Sequence, residues 1–109
     1  MARSNRLPPF IAIYKALLKD PAWRRLSSSA KVLYVYMRSK FNTSTFSEVS
    51  LAYSEVNDMM SSRTISRAFR ELQAAGFIKK TKHGGLYGGV CKYKFVGEFK
   101  DFHYKGYKV

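Results

Sequence analysis

Acidic residues are scarce in this chain, since seven Asp and Glu stand against twenty Lys and Arg and leave a formal net charge of +13. The single cysteine, Cys91, has no partner for an internal disulfide, which is typical of proteins kept in a reducing compartment. No apolar run approaches the roughly 18 residues of a membrane span, and no basic stretch followed by an apolar one opens the chain like a secretory signal. We therefore expect a cytoplasmic protein that does not enter the membrane.

Spacings typical of catalytic and metal sites are also missing. His83, Cys91 and His103 lack the close pairs of a zinc site. The carboxylates show no motif spacing, and the glycines after His83 lack the lysine of a phosphate-binding loop. We expect no catalytic residues, no metal and no cofactor, and no small-molecule substrate is evident.

The composition favours a single folded domain that binds a polyanion. A chain of 109 residues with 46% hydrophobic and 16% aromatic residues has enough apolar surface for one core but not for two. A domain this basic is expected to bind nucleic acid. An anionic membrane surface is a distant second, because no long amphipathic helix with a bulky apolar face is present.

The positive charge is concentrated in particular segments. Residues 43–60 carry three acidic side chains and no basic one, whereas residues 61–82 carry six basic side chains against Glu71 alone. The last stretch, from Lys92 onward, is basic again and contains Phe99, Phe102, Tyr104 and Tyr107. Residues 61–82 and this tail are therefore the two candidate anion-binding surfaces.

The first half of the chain predicts a helical core. Residues 10–13 are expected to be extended, and residues 14–19 to form a short helix that Pro21 ends. Ser27 is a plausible N-cap for a helix that ends near Lys40. Its inward face follows the three-and-four spacing of a buried stripe: Ala30, Leu33, Tyr34, Met37 and Phe41. A short strand over residues 49–52 and a brief helix from Ser54 through Met60 complete this half.

The second half predicts one strongly amphipathic helix followed by a hairpin. Ser61 or Ser62 caps the helix, Gly76 closes it, and its inward stripe consists of Ile65, Ala68, Phe69 and Leu72. Residues 77–81 and 90–96 are predicted strands around a tip that contains four glycines, at residues 83–89. The fold class expected is α+β: a winged helix-turn-helix with a three-helix core and a C-terminal β-hairpin wing.

With the apolar stripe turned inward, the basic residues of this helix face outward, where a major groove would lie. Arginine can donate a bidentate pair to guanine or hold a phosphate, and serines at a helix start can donate to a phosphate. The basic, glycine-rich hairpin adds a second contact. The candidate DNA-binding residues are Ser61, Ser62, Arg63, Thr64, Ser66, Arg67, Arg70, Lys80, Lys82, His83 and Tyr87.

The segments TISRAFREL (residues 64–72) and GFI (76–78) resemble the recognition helix and first wing strand of bacterial and phage winged helix-turn-helix proteins. LSSSAKVLYVYM (26–37) resembles their first core helix. The resemblance covers residues 10–96, between a flexible N-terminal arm (1–9) and an aromatic, basic C-terminal tail (97–109). It implies sequence-specific binding of duplex DNA, in transcription regulation or in plasmid or phage replication and maintenance. The usual glycine before the recognition helix is replaced by Met59, Met60, Ser61 and Ser62, which leaves the angle between the two helices open.

Other functions stay open from the sequence alone. The tail could bind single-stranded nucleic acid by stacking bases on its aromatic rings. The domain could instead dock an acidic protein partner. The chain could also be the DNA-binding part of a longer protein, and a homodimer would predict paired half-sites about one helical turn apart.

Overall fold

The computed structural model describes residues 10–40, 48–82 and 91–97. This part of the chain is α+β, with four α-helices and a small antiparallel sheet. The helices are α1 (Lys15–Lys19), α2 (Pro21–Arg24), α3 (Ser28–Lys40) and α4 (Ser62–Ala74); the strands are β1 (Val49–Leu51), β2 (Ile78–Lys82) and β3 (Cys91–Phe95). None of the helices in the described residues is long and apolar enough to cross a membrane.

Pro21 starts a helix as well as following one, which corrects the expectation that it only ends α1. Lys19 ends α1, and Pro21 is the first residue of α2, where its missing N–H has no intrahelical acceptor to lose. Asp20 caps α2 by accepting a hydrogen bond of 2.8 Å from the backbone N–H of Ala22. The short α2 places Trp23 in the core, where its ring lies edge-on to that of Tyr34 of α3, with centroids 5.2 Å apart.

Helix α3 begins as the sequence predicts, at a serine cap. The hydroxyl of Ser27 accepts from the backbone N–H of Ala30 at 3.2 Å. The predicted inward residues Ala30, Leu33, Tyr34 and Met37 are all buried, and Phe41 lies outside the described residues.

Arg38 of α3 is buried, with 2% of its surface exposed, which sequence reasoning did not anticipate. Its Nε and Nη2 donate to the Tyr34 hydroxyl, and its guanidinium lies 3.9 Å from the centre of the Phe95 ring. Burial raises the pKa of Tyr34 although Arg38 opposes the shift. This arginine therefore belongs to the core and not to the basic surface.

The expected helix over residues 54–60 is wrong. A single 3₁₀ turn, Tyr53–Glu55, stands there instead, and turns follow it to Met59. Val56 buries its side chain completely and anchors these turns to the core. A short irregular segment, rather than a helix, thus precedes α4.

The three strands form a sheet in the order β1-β3-β2, with both neighbouring pairs antiparallel. Each predicted strand is found to within about one residue of its predicted ends, as is usual for element boundaries. Val49 pairs with Tyr93, Ile78 pairs with Phe95, and all four side chains are buried against the helices. The core therefore lies between this sheet and helices α3 and α4.

Gly76 closes α4 with φ of 85°, as predicted for a residue in the left-handed region. Gly97, after β3, also has a positive φ, and a Cβ there would lie 2.7 Å from the carbonyl oxygen of Gly76. The absence of a side chain at Gly97 therefore lets the end of the hairpin pass close to the end of α4.

Candidate nucleic-acid interface

Helix α4 is fixed at its start by Ser61, which decides between the two predicted caps. The Ser61 hydroxyl accepts from the backbone N–H of Thr64 at 3.2 Å and donates to the Thr64 hydroxyl at 3.0 Å. These bonds use the proton of Ser61, so the Thr64 hydroxyl is the group left to donate outward. Ser62, the first helical residue, is exposed.

The inward stripe of α4 is confirmed, because Ile65, Ala68, Phe69 and Leu72 are each at most 3% exposed. Arg63, Arg67 and Arg70 are exposed. At roughly 100° per residue, these three positions fall within an arc of roughly 60°, on the side opposite the buried stripe. Packing of α4 on the core therefore fixes the direction in which the arginines point.

No acidic side chain pairs with these arginines within the described part of the chain, where the ion pair seen is Lys40 with Glu55. Glu71, the acidic residue of α4, is used elsewhere. Its two carboxylate oxygens accept from the backbone N–H and the hydroxyl of Ser27, at 2.9 and 2.8 Å. Glu71 thus ties α4 to the first residue before α3, and within the described residues it forms no ion pair with the arginines.

A second tie joins the far end of α3 to the 3₁₀ turn. Glu55 accepts from Lys40 Nζ at 2.6 Å, from the Tyr36 hydroxyl at 3.3 Å and from the backbone N–H of Ala52 at 2.9 Å. Partial burial raises the pKa of Glu55, but the hydrogen bonds from Ala52 and Lys40 outweigh it, and the net pKa is lowered. The first tie thus joins α4 to the start of α3, and the second joins the 3₁₀ turn to the end of α3.

Tyr53 is a surface residue at the edge of α4 that sequence reasoning missed. Its hydroxyl lies 2.7 Å from that of Ser66, and either group can be the donor. Its ring stacks on Phe69, with centroids 6.2 Å apart, and Phe69 stacks in turn on Tyr93 at 4.4 Å. The sequence offered little indication of this contact. Tyr53 precedes the segment predicted as a helix, and a bond between hydroxyls 13 residues apart leaves no local pattern in the sequence.

Comparisons with known proteins add no evidence about this surface. No protein-family model, no curated protein and no solved structure matches the chain. The resemblance to winged helix-turn-helix proteins therefore stays a prediction, and the case for a binding surface depends on the geometry of the described residues.

The predicted hairpin contacts are placed only in part. Lys80 lies within β2, half-buried and opposite Tyr93, so it stands on the strand rather than at the tip. Lys82 is the last residue of β2. His83 and Tyr87 lie outside the described residues, as does the tail after Gly97.

Two lysines that were not among the predicted DNA-binding residues lie opposite each other on the sheet. Lys79 pairs with Lys94 across β2 and β3, and both side chains are exposed. Like charges directly opposite on a sheet repel each other, so the pair adds positive charge at a cost in stability. In β3 the available signal was the alternation of lysines with aromatic residues in CKYKF, where Tyr93 and Phe95 are buried.

A cluster of side chains that could hold a metal ion is not seen in the described residues. No group of three or more His, Cys, Asp or Glu side chains lies together there. What the surface offers chemically is a row of guanidinium groups flanked by hydroxyl donors, an arrangement suited to an extended anion.

Proposed function

We propose that this chain is a winged helix domain that binds duplex DNA in a sequence-specific manner, with α4 as the helix that enters the major groove. The observation that carries the proposal is the row of exposed arginines opposite the buried stripe of α4, which forms no ion pair within the described residues. Transcription regulation and replication of a plasmid or phage are the two roles in which such a domain would serve.

The order of the elements supports the fold part of the proposal. Helix α3, helix α4 and the β2–β3 hairpin follow each other in the order expected for a winged helix, with the 3₁₀ turn in place of the expected helix over residues 54–60. The strand β1 pairs with β3 and closes the sheet beneath the helices. The bonds of Glu71 to Ser27 join α4 to the start of α3 and so support the helix that we propose for the groove.

The dimensions of the arginine row suit DNA. Arg63 and Arg70 are seven residues apart, which is about 10 Å along a helix and matches the rise of about three base pairs. An arginine in the groove can donate two hydrogen bonds to a guanine, while one at the edge can hold a phosphate. Arg67, between the other two, is the candidate for base recognition, and the backbone N–H groups at the start of α4 favour a phosphate.

The test begins with selection of bound duplexes from a random pool by the whole chain. Arg67→Ala should then lose about tenfold or more in affinity for the selected duplex and clearly less for a random one, since a guanine contact carries discrimination of about 1–3 kcal/mol. Arg24→Ala, on the exposed surface of α2, removes the same charge from another element and is the matched control.

Three outcomes would count against the proposal. A pool that yields no enriched duplex would deny sequence-specific binding. Stronger binding of a single strand than of the same duplex would favour a stacking protein. Equal losses for Arg67→Ala on selected and random duplexes would place Arg67 on a phosphate and remove it from base recognition.

A further inference from the structure

We propose that Tyr53 is a further DNA contact, whose hydroxyl acts with that of Ser66 as a donor to a backbone phosphate beside the arginine row. The inference rests on the proposed function and adds to it a residue outside α4. It starts from the hydrogen bond of 2.7 Å between these two hydroxyls, which join the 3₁₀ turn to α4.

The position of Ser66 on α4 places this pair next to two positive charges. Ser66 follows Arg63 by three residues and precedes Arg70 by four, so both arginines are its neighbours on the helix surface, at about 5–6 Å between Cβ atoms. Ser66 lies between the buried side of α4, marked by Phe69, and the arginine row. A group that contacts Tyr53 and Ser66 is therefore also within reach of one or both guanidiniums.

The chemistry of the pair favours an acceptor ligand. Two hydroxyls joined by one hydrogen bond use one of their two protons, and no further hydrogen bond of the pair is seen within the described residues. The second proton is free to be donated, and the Tyr53 side is open to solvent, with 38% of the residue exposed. A phosphate oxygen is an acceptor without a proton, and hydroxyl side chains are common donors to it.

The stack of rings makes Tyr53 a rigid donor. Its ring lies nearly parallel to that of Phe69, at 24°, and Phe69 lies almost flat on Tyr93, at 6°. Phe69 and Tyr93 are both buried. Because the ring is already held in place, the hydroxyl loses little freedom when it binds a ligand.

The test compares three variants on one fluorescein-labelled duplex taken from the pool that the wild-type chain selects. Tyr53→Phe keeps the stacked ring and removes the hydroxyl, and we expect affinity to fall about three- to tenfold, as for the loss of one hydrogen bond. The slope of log affinity against log salt should not change, because a neutral donor releases no counterions. Tyr36→Phe is the matched control, since its hydroxyl is bound to Glu55, and it should bind as wild type does.

The coupling of the two hydroxyls gives a second readout that a merely structural tyrosine would not produce. Ser66→Ala should also weaken binding, and the double variant should lose less than the sum of the two single losses, because the hydroxyls act as one donor unit. Replacing phosphates of the duplex one at a time by neutral methylphosphonates should reveal a position at which wild type and Tyr53→Phe bind equally well.

Failure of this inference can be told from failure of the proposed function. If the wild-type chain binds no duplex, the proposed function is lost and the Tyr53 contact with it. If wild type binds and Tyr53→Phe binds as tightly, only the Tyr53 contact is overturned. Fully additive losses, a flattened salt slope or the absence of a compensating methylphosphonate position would likewise overturn it. A thermal midpoint shared by wild type and Tyr53→Phe shows that the variant is folded.

Discussion

The two faces of α4 differ in how their side chains are held. On the inner face, every residue of the apolar stripe is packed in the core. On the outer face, Arg63, Arg67 and Arg70 are exposed and meet no carboxylate in the described residues. One face thus contributes stability and the other contributes charge, so a change on either face should affect one property and spare the other.

The carboxylates around α4 follow the same division. Glu71 and Glu55 bind the two ends of α3, at Ser27 and at Lys40. If either carboxylate lay across the outer face, it would neutralise part of the row that we propose for DNA. Within the described residues, Glu71 and Glu55 therefore bind α3 and form no ion pair with the arginine row.

The largest expected effect comes from breaking the inner face. Leu72→Ala removes a fully buried side chain, and the free energy of unfolding should fall by about 2–5 kcal/mol. Urea denaturation followed by circular dichroism measures it. Arg70→Ala, on the outer face, should stay within about 0.5 kcal/mol of wild type while DNA affinity falls. Comparable losses of stability in both variants would contradict the division of α4 into a stabilising inner face and a charged outer face.

An intermediate effect is expected from the tie between α4 and α3. Glu71→Ala leaves the hydroxyl and the backbone N–H of Ser27 without their carboxylate partner, and we expect a loss of about 1 kcal/mol, as for a damaged helix cap. Glu71→Gln keeps an acceptor at the same place and should lose less. The same denaturation experiment checks both variants. If Glu71→Ala had the same free energy of unfolding as wild type, the bonds of Glu71 to Ser27 would not hold α3.

The sequence predicts α4 well and its surroundings less well, for a physical reason. A cap, a stripe of apolar residues and a closing glycine are local signals, and all were found where expected, from Ser61 to Gly76. Contacts between distant segments leave no such pattern. The bonds of Glu71 to Ser27 and of Tyr53 to Ser66 span 44 and 13 residues and appear only once the fold is known.

One error of sequence reasoning came from using a residue type as a fixed rule. Proline was taken as a stop, although at the first position of a helix it is favoured, and so the four-residue α2 was missed. The burial of Arg38 was not anticipated, because the packing of its long stem and flat guanidinium between Tyr34 and Phe95 has no local pattern in the sequence. The proposed DNA contacts of Arg63, Arg67 and Arg70, by contrast, rest on their position on α4 and stay a prediction.

The smallest expected effect is the pH dependence of the tie at the far end of α3. Because the pKa of Glu55 is lowered on folding, this carboxylate contributes stability that is present above its unfolded pKa and is lost as pH falls through its folded pKa. Wild-type stability should therefore drop more than that of Glu55→Gln between about pH 5 and pH 3, by no more than about 1 kcal/mol for a pair at the surface. Lys40→Met removes the partner of Glu55 and should reduce this difference in pH dependence between wild type and Glu55→Gln. Lys31→Met removes the same charge from the same helix and should leave the difference unchanged. If Glu55→Gln followed the wild-type curve throughout, the bond to Lys40 would contribute nothing to holding α3 against the 3₁₀ turn.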